Sequence, residues 1–279
     1  MKQRVFVIIG LGLIGGSLAA AIRRRFRSAV VRAVSRNPGK LALAKKKRFI
    51  HEGFTQLARA LRGADLVLIC SPVDIIPQLL SEINRCAQSG TIVTDVGSTK
   101  CEIVHWADQQ HFQNIQFVGS HPFAGSHRAG FEYARTDLFD GAIVFVTPTK
   151  KSRQRAVRIV SSFWKRLRTS VRILSPKTHD RIVSQVSHLP HAVASLLISI
   201  VSPASFRYGA GGFLDTTRIA QGDARLWAPI FLANRANLIR DLSRFEKALR
   251  YLKHLLKRKS IESIRHLLAL ASRRRSKAS

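Results

Sequence analysis

The sequence predicts two parts of different class: an α/β domain on a mostly parallel sheet over residues 1–175, then an all-α domain over residues 176–279. Three observations predict this. Short β-rich runs alternate with helical patterns through the first part. A glycine-rich turn joins the first run to the first helical pattern. After Ser175-Pro176 no convincing strand remains, and periods of three and four take over.

The elements follow in order. A strand at 5–9 leads through the glycine turn into a helix at about 13–25. Further strands are expected at 30–34, 66–70, 91–95, 117–120, 142–147 and 171–174, with helices such as 38–47 and 153–167 between them. A parallel strand covered by helices on both faces reads as a continuous apolar run. Leu66-Val67-Leu68-Ile69-Cys70 is such a run. In the second part Leu238, Leu242, Phe245, Leu249, Leu252 and Leu256 make one apolar helix face. Arg273-Arg274-Arg275-Ser276-Lys277 reads as a frayed basic tail.

The N-terminus imitates a signal peptide or membrane span, because Lys2 and Arg4 precede an apolar stretch and Arg23-Arg24-Arg25 follow it. Gly10, Gly12, Gly15 and Gly16 sit mid-stretch and would weaken a spanning helix, so strand, turn and helix is the better division. No other stretch is read as long enough to span.

Composition narrows the class. The 279 residues include 47 Lys+Arg against 16 Asp+Glu, for a net charge of +31. At 46% hydrophobic the chain has ample core, which excludes disorder. So few acids cannot pair the basic excess internally. Charge alone makes nucleic acid the first candidate partner, ahead of an anionic membrane or small phosphorylated or carboxylated molecules. Yet the basic residues are scattered and show no finger, recognition-helix or aromatic-interleaved pattern, so a solvated surface is preferred to a nucleic-acid footprint. Cys70, Cys86 and Cys101 are odd in number and lack metal-ligand spacing. They suit a reducing compartment, with no metal and with Cys70 as a buried small hydrophobe.

Gly10-Leu11-Gly12-Leu13-Ile14-Gly15 is G-x-G-x-x-G directly after a strand and opening a helix. The first glycine permits the tight turn, the second admits a pyrophosphate, and the third lets helix and strand pack closely. This is the fingerprint of a Rossmann-type dinucleotide-binding domain; the plain alternative is a structural turn. Contacts to the cofactor are expected from Gly10, Gly12, Leu13, Ile14 and Gly15, and from Ser71 and Pro72 after the strand at 66–70. An acid at the end of the second strand would hold the ribose 2′-OH of NAD. Ser35 stands there and Arg36 follows, a pair suited to a 2′-phosphate, so NADP is expected and NAD is the alternative. Arg36 could otherwise stack on the adenine of either.

Further segments converge: Asp95-Val96-Gly97-Ser98-Thr99-Lys100, His121-Pro122-Phe123-Ala124-Gly125, Ser187-His188-Leu189-Pro190-His191, the run from Gly211 to Ala220, and Trp227. With the glycine motif, their order and spacing resemble the prephenate/arogenate dehydrogenase family of tyrosine biosynthesis, over roughly residues 4–256. The resemblance implies a cytoplasmic enzyme with a Rossmann-type domain, a helical domain that forms a homodimer, and an active site between the domains. It implies NAD(P)-dependent oxidation of a cyclohexadienol with release of CO2. Prephenate would give 4-hydroxyphenylpyruvate, and arogenate would give tyrosine.

The same resemblance assigns roles. His121 takes the place of the catalytic histidine that accepts the proton of the ring hydroxyl, a role that suits an imidazole. Ser98 takes that of the serine that binds substrate and orients the histidine; its placement also fits a helix N-cap. Arg218 corresponds to the arginine that pairs with the ring carboxylate. His191 is implied at the substrate site, while His188 and Trp227 suit either contact or packing. After the His-Pro-x-Ala-Gly segment the family often has Thr or Ser and then Glu. Here Ser126 is followed by His127 and Arg128. Without the acid, an ammonium-bearing arogenate loses a partner, so prephenate is expected to be preferred. The strand at 5–9 and the helical run towards Ser279 lead us to expect neither a preceding chorismate mutase domain nor a following regulatory domain. Any inhibition by tyrosine would then be competitive. A 3-hydroxyacid or imine-type dehydrogenase fits poorly at the histidine and arginine motifs.

Overall fold

The computed structural model describes residues 3–125 and 130–277. One eight-stranded sheet organises the first part: β1 Val5–Ile9, β2 Val30–Val34, β3 Glu52–Phe54, β4 Leu66–Ile69, β5 Thr91–Asp95, β6 Ile115–Phe123, β7 Ile143–Pro148 and β8 Ser170–Ile173. Their order is β3-β2-β1-β4-β5-β6-β7-β8. Every described pairing is parallel except β6 with β7. The α/β, mostly parallel expectation therefore holds.

Alternation along the strands builds two apolar layers. Phe6 and Ile8 of β1 face a core with Leu18 and Ile22 of helix Leu13–Arg25 and Phe163 and Trp164 of helix Gln154–Arg166. Val7 and Ile9 face the opposite layer, with Ile76, Leu80 and Ile83 of helix Ile76–Cys86 and Ile103 and Val104 of helix Cys101–Gln109. Burial of the central strands on both faces explains why β1 and β4 are readable as apolar runs, whereas the edge strands β3 and β8 are largely open to solvent.

Two strands differ from expectation. β3 was not anticipated: it is a three-residue edge strand around Gly53, too short to carry an alternation. β6 runs past the expected end at 120 to Phe123, despite Pro122. Beyond Val118 it pairs only with β7, and a residue without an N–H is tolerated where one side of the ladder is free.

The change from strands to helices falls at 175/176. By packing, the chain divides elsewhere, into compact units Met1–Asn234 and Arg235–Ser279. The helical segments from Pro176 to Ala233 thus belong to the sheet unit; helix Pro176–Val183 packs on β7 and on helix Cys101–Gln109. The second unit comprises helices Arg235–Lys257 and Ile261–Ser276. On the first of these Leu238 is buried, whereas Leu249 and Leu256 are exposed, so a single chain leaves the expected apolar face partly uncovered. Arg273–Arg275 are helical to Ser276 rather than frayed, as basic side chains in a last turn favour.

The 5–22 stretch divides into strand, turn and helix as expected. Contrary to the expectation that no other stretch is long enough, the helix Pro176–Ile200 is long and apolar enough to cross a membrane by length and composition. It buries His179, Asp180, His188 and His191 inside the protein.

Candidate active site

The glycine turn lies where β1 and β4 are neighbours while β2 lies on the other side of β1, the switch point at which open α/β sheets bind ligands. Gly10 has φ 99°, and a Cβ there would lie 2.4 Å from the carbonyl oxygen of Cys70. A Cβ on Gly15 would lie 2.0 Å from the carbonyl oxygen of Gly10, whereas one on Gly12 would meet nothing within 4 Å. The first and third glycines are thus required by packing, and the second leaves open space at the start of helix Leu13–Arg25. That helix has no acid in its first turn, so its free N–H groups present an uncompensated positive end. A dinucleotide pyrophosphate fits this cradle.

The neighbouring residues fit the same group. Ser71 Oγ lies 3.5 Å from the carbonyl oxygen of Ile9 and flanks the turn, with Pro72 next. Ile14 packs into the core layer, while Leu13 is half-buried. Ser35 follows β2 and accepts the Asn37 amide at 3.2 Å. Asn37 caps helix Pro38–Lys46. Arg36 is exposed and has no ion-pair partner among the described residues.

His121 stands near the carboxyl end of β6, at the same sheet edge as the glycine turn, and is 8% exposed. Its Nδ1 is 2.9 Å from Nε2 of His179. His179 Nδ1 in turn lies 2.7 Å from Oδ1 of Asp180. Both partners are buried. The Asp180 carboxylate also caps helix Cys101–Gln109: Oδ1 accepts the Lys100 amide and Oδ2 the Cys101 amide, each at 2.8 Å. The cap considered for Ser98 is therefore supplied by Asp180, because the helix begins later, after Lys100. Ser98 is half-buried in the loop after β5.

Burial sets the charge states. His121 is held well below the ordinary imidazole pKa, first by burial and then by His179, Lys100 and His188. Burial also lowers His179. It opposes ionisation of Asp180, but hydrogen bonds from His179 and from the Cys101 and Lys100 amides outweigh it and keep the carboxyl below its usual range. Beneath this chain Lys100 and Asp95 form a buried ion pair. Asp95 accepts the amides of Gly97 at 2.8 Å and Ser120 at 3.1 Å. Cys101 is pushed up to about 12, chiefly by burial, and Cys70 is raised by burial as well.

The helical segments extend the cluster. A π turn, Ser184–His188, interrupts helix Pro176–Ile200 and carries the buried His188. Such turns recur at functional sites. Asn234 links the chain together: its Nδ2 donates to the Asp180 carbonyl at 2.8 Å and lies 3.1 Å from His188 Nδ1. Burial lowers His188 to about 4. Trp227 stands edge-on to His188 and stacks on His191, with centroids 3.7 Å apart. Gly222 approaches this stack so closely that a Cβ would lie 2.5 Å from Trp227 Nε1. His191 Nδ1 is buried without a hydrogen-bond partner among the described residues, so a polar ligand atom would satisfy it. Arg218 opens the turn Arg218–Gln221, which packs on helix Leu189–Ile200; it is exposed and has no ion-pair partner among the described residues.

The structure thus joins His121, His188, His191 and Trp227 in one connected set of contacts. No described hydrogen bond joins Ser98 or Arg218 to it. Ser126 and His127 lie outside the described residues. Sequence reasoning missed His179, Asp180 and Asn234. The only local signal was an adjacent His-Asp pair on a helix that is otherwise apolar on one side, and nothing in its spacing pointed back to β6. Among the described residues no cluster of three His, Cys, Asp or Glu is placed to hold a metal.

The whole chain compares with known proteins. Residues 18–173 match the family model described as prephenate dehydrogenase, nucleotide-binding domain, and residues 175–270 match prephenate dehydrogenase, dimerization domain. The chain is 34% identical over 260 residues to a prephenate dehydrogenase of Bacillus subtilis, covering 90% of this chain and 68% of that one. It is 31% identical over 245 residues to a cyclohexadienyl dehydrogenase of Zymomonas mobilis, covering 85% and 83%. It is similar to the solved prephenate dehydrogenase of Aquifex aeolicus in complex with hydroxyphenyl propionate and NAD+, with TM-score 0.92, 33% identity, and 100% and 99% of the two chains covered. The Synechocystis arogenate dehydrogenase structure is similar too, with TM-score 0.83, 28% identity, and 99% and 100% covered.

Proposed function

The chain belongs to the prephenate dehydrogenase family of oxidoreductases, and on that premise we propose that it oxidatively decarboxylates prephenate to 4-hydroxyphenylpyruvate with NADP. The observation that carries the reading is the buried, uncharged imidazole of His121 at the sheet edge that also bears the glycine cradle.

The glycine cradle, Leu13, Ile14, Ser71 and Pro72 would hold the dinucleotide. The chemistry it supplies when bound is acceptance of hydride from the ring carbon that bears the hydroxyl. His121 takes the hydroxyl proton as the carbonyl forms. Burial keeps this imidazole neutral at neutral pH, so a ring nitrogen has its lone pair free to accept the hydroxyl proton. Arg218 pairs with the ring carboxylate and orients it until aromatisation releases CO2. His191, Ser98 and Ser126 bind substrate polar groups; the unpartnered His191 Nδ1 supports that role. Trp227 and His188 form the wall behind His191.

Ser35 and the unpaired Arg36 favour NADP over NAD through its 2′-phosphate. The basic His127-Arg128 pair favours prephenate over arogenate. A second reading, direct oxidation of arogenate to tyrosine, is favoured by the likeness to the Synechocystis arogenate dehydrogenase. The functional division is 1–175 for the dinucleotide and 176–279 for substrate and homodimer formation. The exposed apolar residues Leu249 and Leu256 support the dimer. The three unpaired cysteines support work in the reducing cytoplasm. Neither nucleic acid nor a membrane has a part in this reading.

The test is reduced-cofactor formation from prephenate and from arogenate, each with NADP and with NAD. We expect the highest kcat/KM for prephenate with NADP. Faster arogenate turnover would reverse the substrate reading, and a strong NAD preference the cofactor reading.

A further inference from the structure

We propose that His179 and Asp180 are positioning residues that fix the tautomer of His121, leaving its Nε2 as the atom that takes the substrate proton. The proposal deepens the functional reading above and rests on His121 being the base.

An ionised Asp180 can only accept hydrogen bonds. Its two oxygens already accept the Lys100 and Cys101 amides. Oδ1 also lies 2.7 Å from His179 Nδ1, so that nitrogen must carry a hydrogen. A neutral imidazole bears one N–H, which makes His179 Nε2 an acceptor. His121 Nδ1 lies 2.9 Å from it and must therefore donate. The lone pair of His121 is left on Nε2, directed away from His179. The opposite sense would set the lone pair of His179 Nδ1 against a carboxylate.

Burial makes the order rigid. His179 is 0% and Asp180 1% exposed, so water cannot replace either partner. Once His121 has accepted a proton it is an imidazolium with both nitrogens protonated. Its Nδ1–H bond to His179 is unchanged, and the Asp180 charge lies next in line. No group has to rotate during the transfer, which is what a preorganised base requires. Asp180 is itself anchored by the N-terminus of helix Cys101–Gln109, so the tautomer of one side chain is set by the end of a helix on another element.

The direct test is the long-range proton–nitrogen NMR spectrum of the full chain labelled with [15N]histidine. His121 is identified by its loss in His121→Asn. We expect a His121 with hydrogen on Nδ1 and a lone pair on Nε2. An Nε2–H tautomer in the wild-type protein overturns the proposal, whatever any variant does. In His179→Gln the amide can present either oxygen or NH2, so the direction is no longer fixed. We expect kcat to fall about 10–100-fold, KM for prephenate to stay within about threefold, and the His121 signals to move towards a mixture. An unchanged kcat in folded His179→Gln overturns the proposal. If His121→Asn keeps its full rate, the functional reading fails. If that variant is inactive but the wild-type tautomer is reversed, this inference fails alone.

Discussion

The glycine cradle and the histidine cluster are two halves of one proposed chemistry, yet they are built in opposite ways. The cradle comes from one unbroken segment, Gly10 to Gly15, closed by Cys70 and Ser71 just beyond the neighbouring strand β4. The cluster is assembled across long separations: 58 residues between His121 and His179, 54 between Asp180 and Asn234, and 46 between His188 and Asn234. The cradle works through backbone N–H groups and space. The cluster works through side-chain protons and depends on burial. The first therefore tolerates change in the surrounding side chains, and the second does not.

Perturbations sharpen this contrast. The largest effect is expected from His121→Asn, which removes the proposed base and should lower kcat about 10²–10⁴-fold with little change in binding. A kcat within a few-fold of wild type would detach the cluster from the chemistry. Next comes Lys100→Met, which leaves Asp95 charged and unpaired beneath His121. Chemical unfolding should show a loss of about 3–5 kcal/mol. A near-zero change would mean that the pair does not support the cluster.

Acid should distinguish the two halves by a smaller amount. His121, His179, His188 and His191 all have folded pKa values below their unfolded ones. The unfolded state thus binds more protons, and stability falls as pH drops through 6.5 towards the folded values. For His188 the window runs from 6.5 to about 4 and is worth roughly 3 kcal/mol. Melting temperature against pH checks this, and a flat profile across that window would contradict it. Over the same range the acid limb of kcat/KM should lie below pH 6.5, because His121 stays neutral there. The smallest effect is expected in the cradle. Arg36→Ala should cost NADP about tenfold in kcat/KM, roughly 1.4 kcal/mol, and leave NAD unchanged. Equal losses for both cofactors would assign Arg36 to the adenine instead.

The same contrast explains what was legible in the sequence. β1, β2 and β5 are legible to their ends because each is a short run rich in Val, Ile and Thr, and the glycine motif names its own geometry. β3 was not legible, since three residues around a glycine carry no period. His121, His188, His191 and Trp227 were found through a resemblance between short segments, not from residue chemistry alone. His179 and Asp180 stayed hidden because their partners lie on other elements: His121 on β6 and the amide end of helix Cys101–Gln109. That end also drew a cap reading for Ser98, two residues too early, because a capping carboxylate from a distant helix leaves no trace in neighbouring residues.

One measurement bears most directly on the central claim: product analysis of wild type and His121→Asn incubated with prephenate and NADP. The account predicts 4-hydroxyphenylpyruvate, CO2 and reduced cofactor in equal amounts from wild type, with the rate almost abolished in the variant. No reduced cofactor from wild type with either dinucleotide, or equal rates from both proteins, would contradict it.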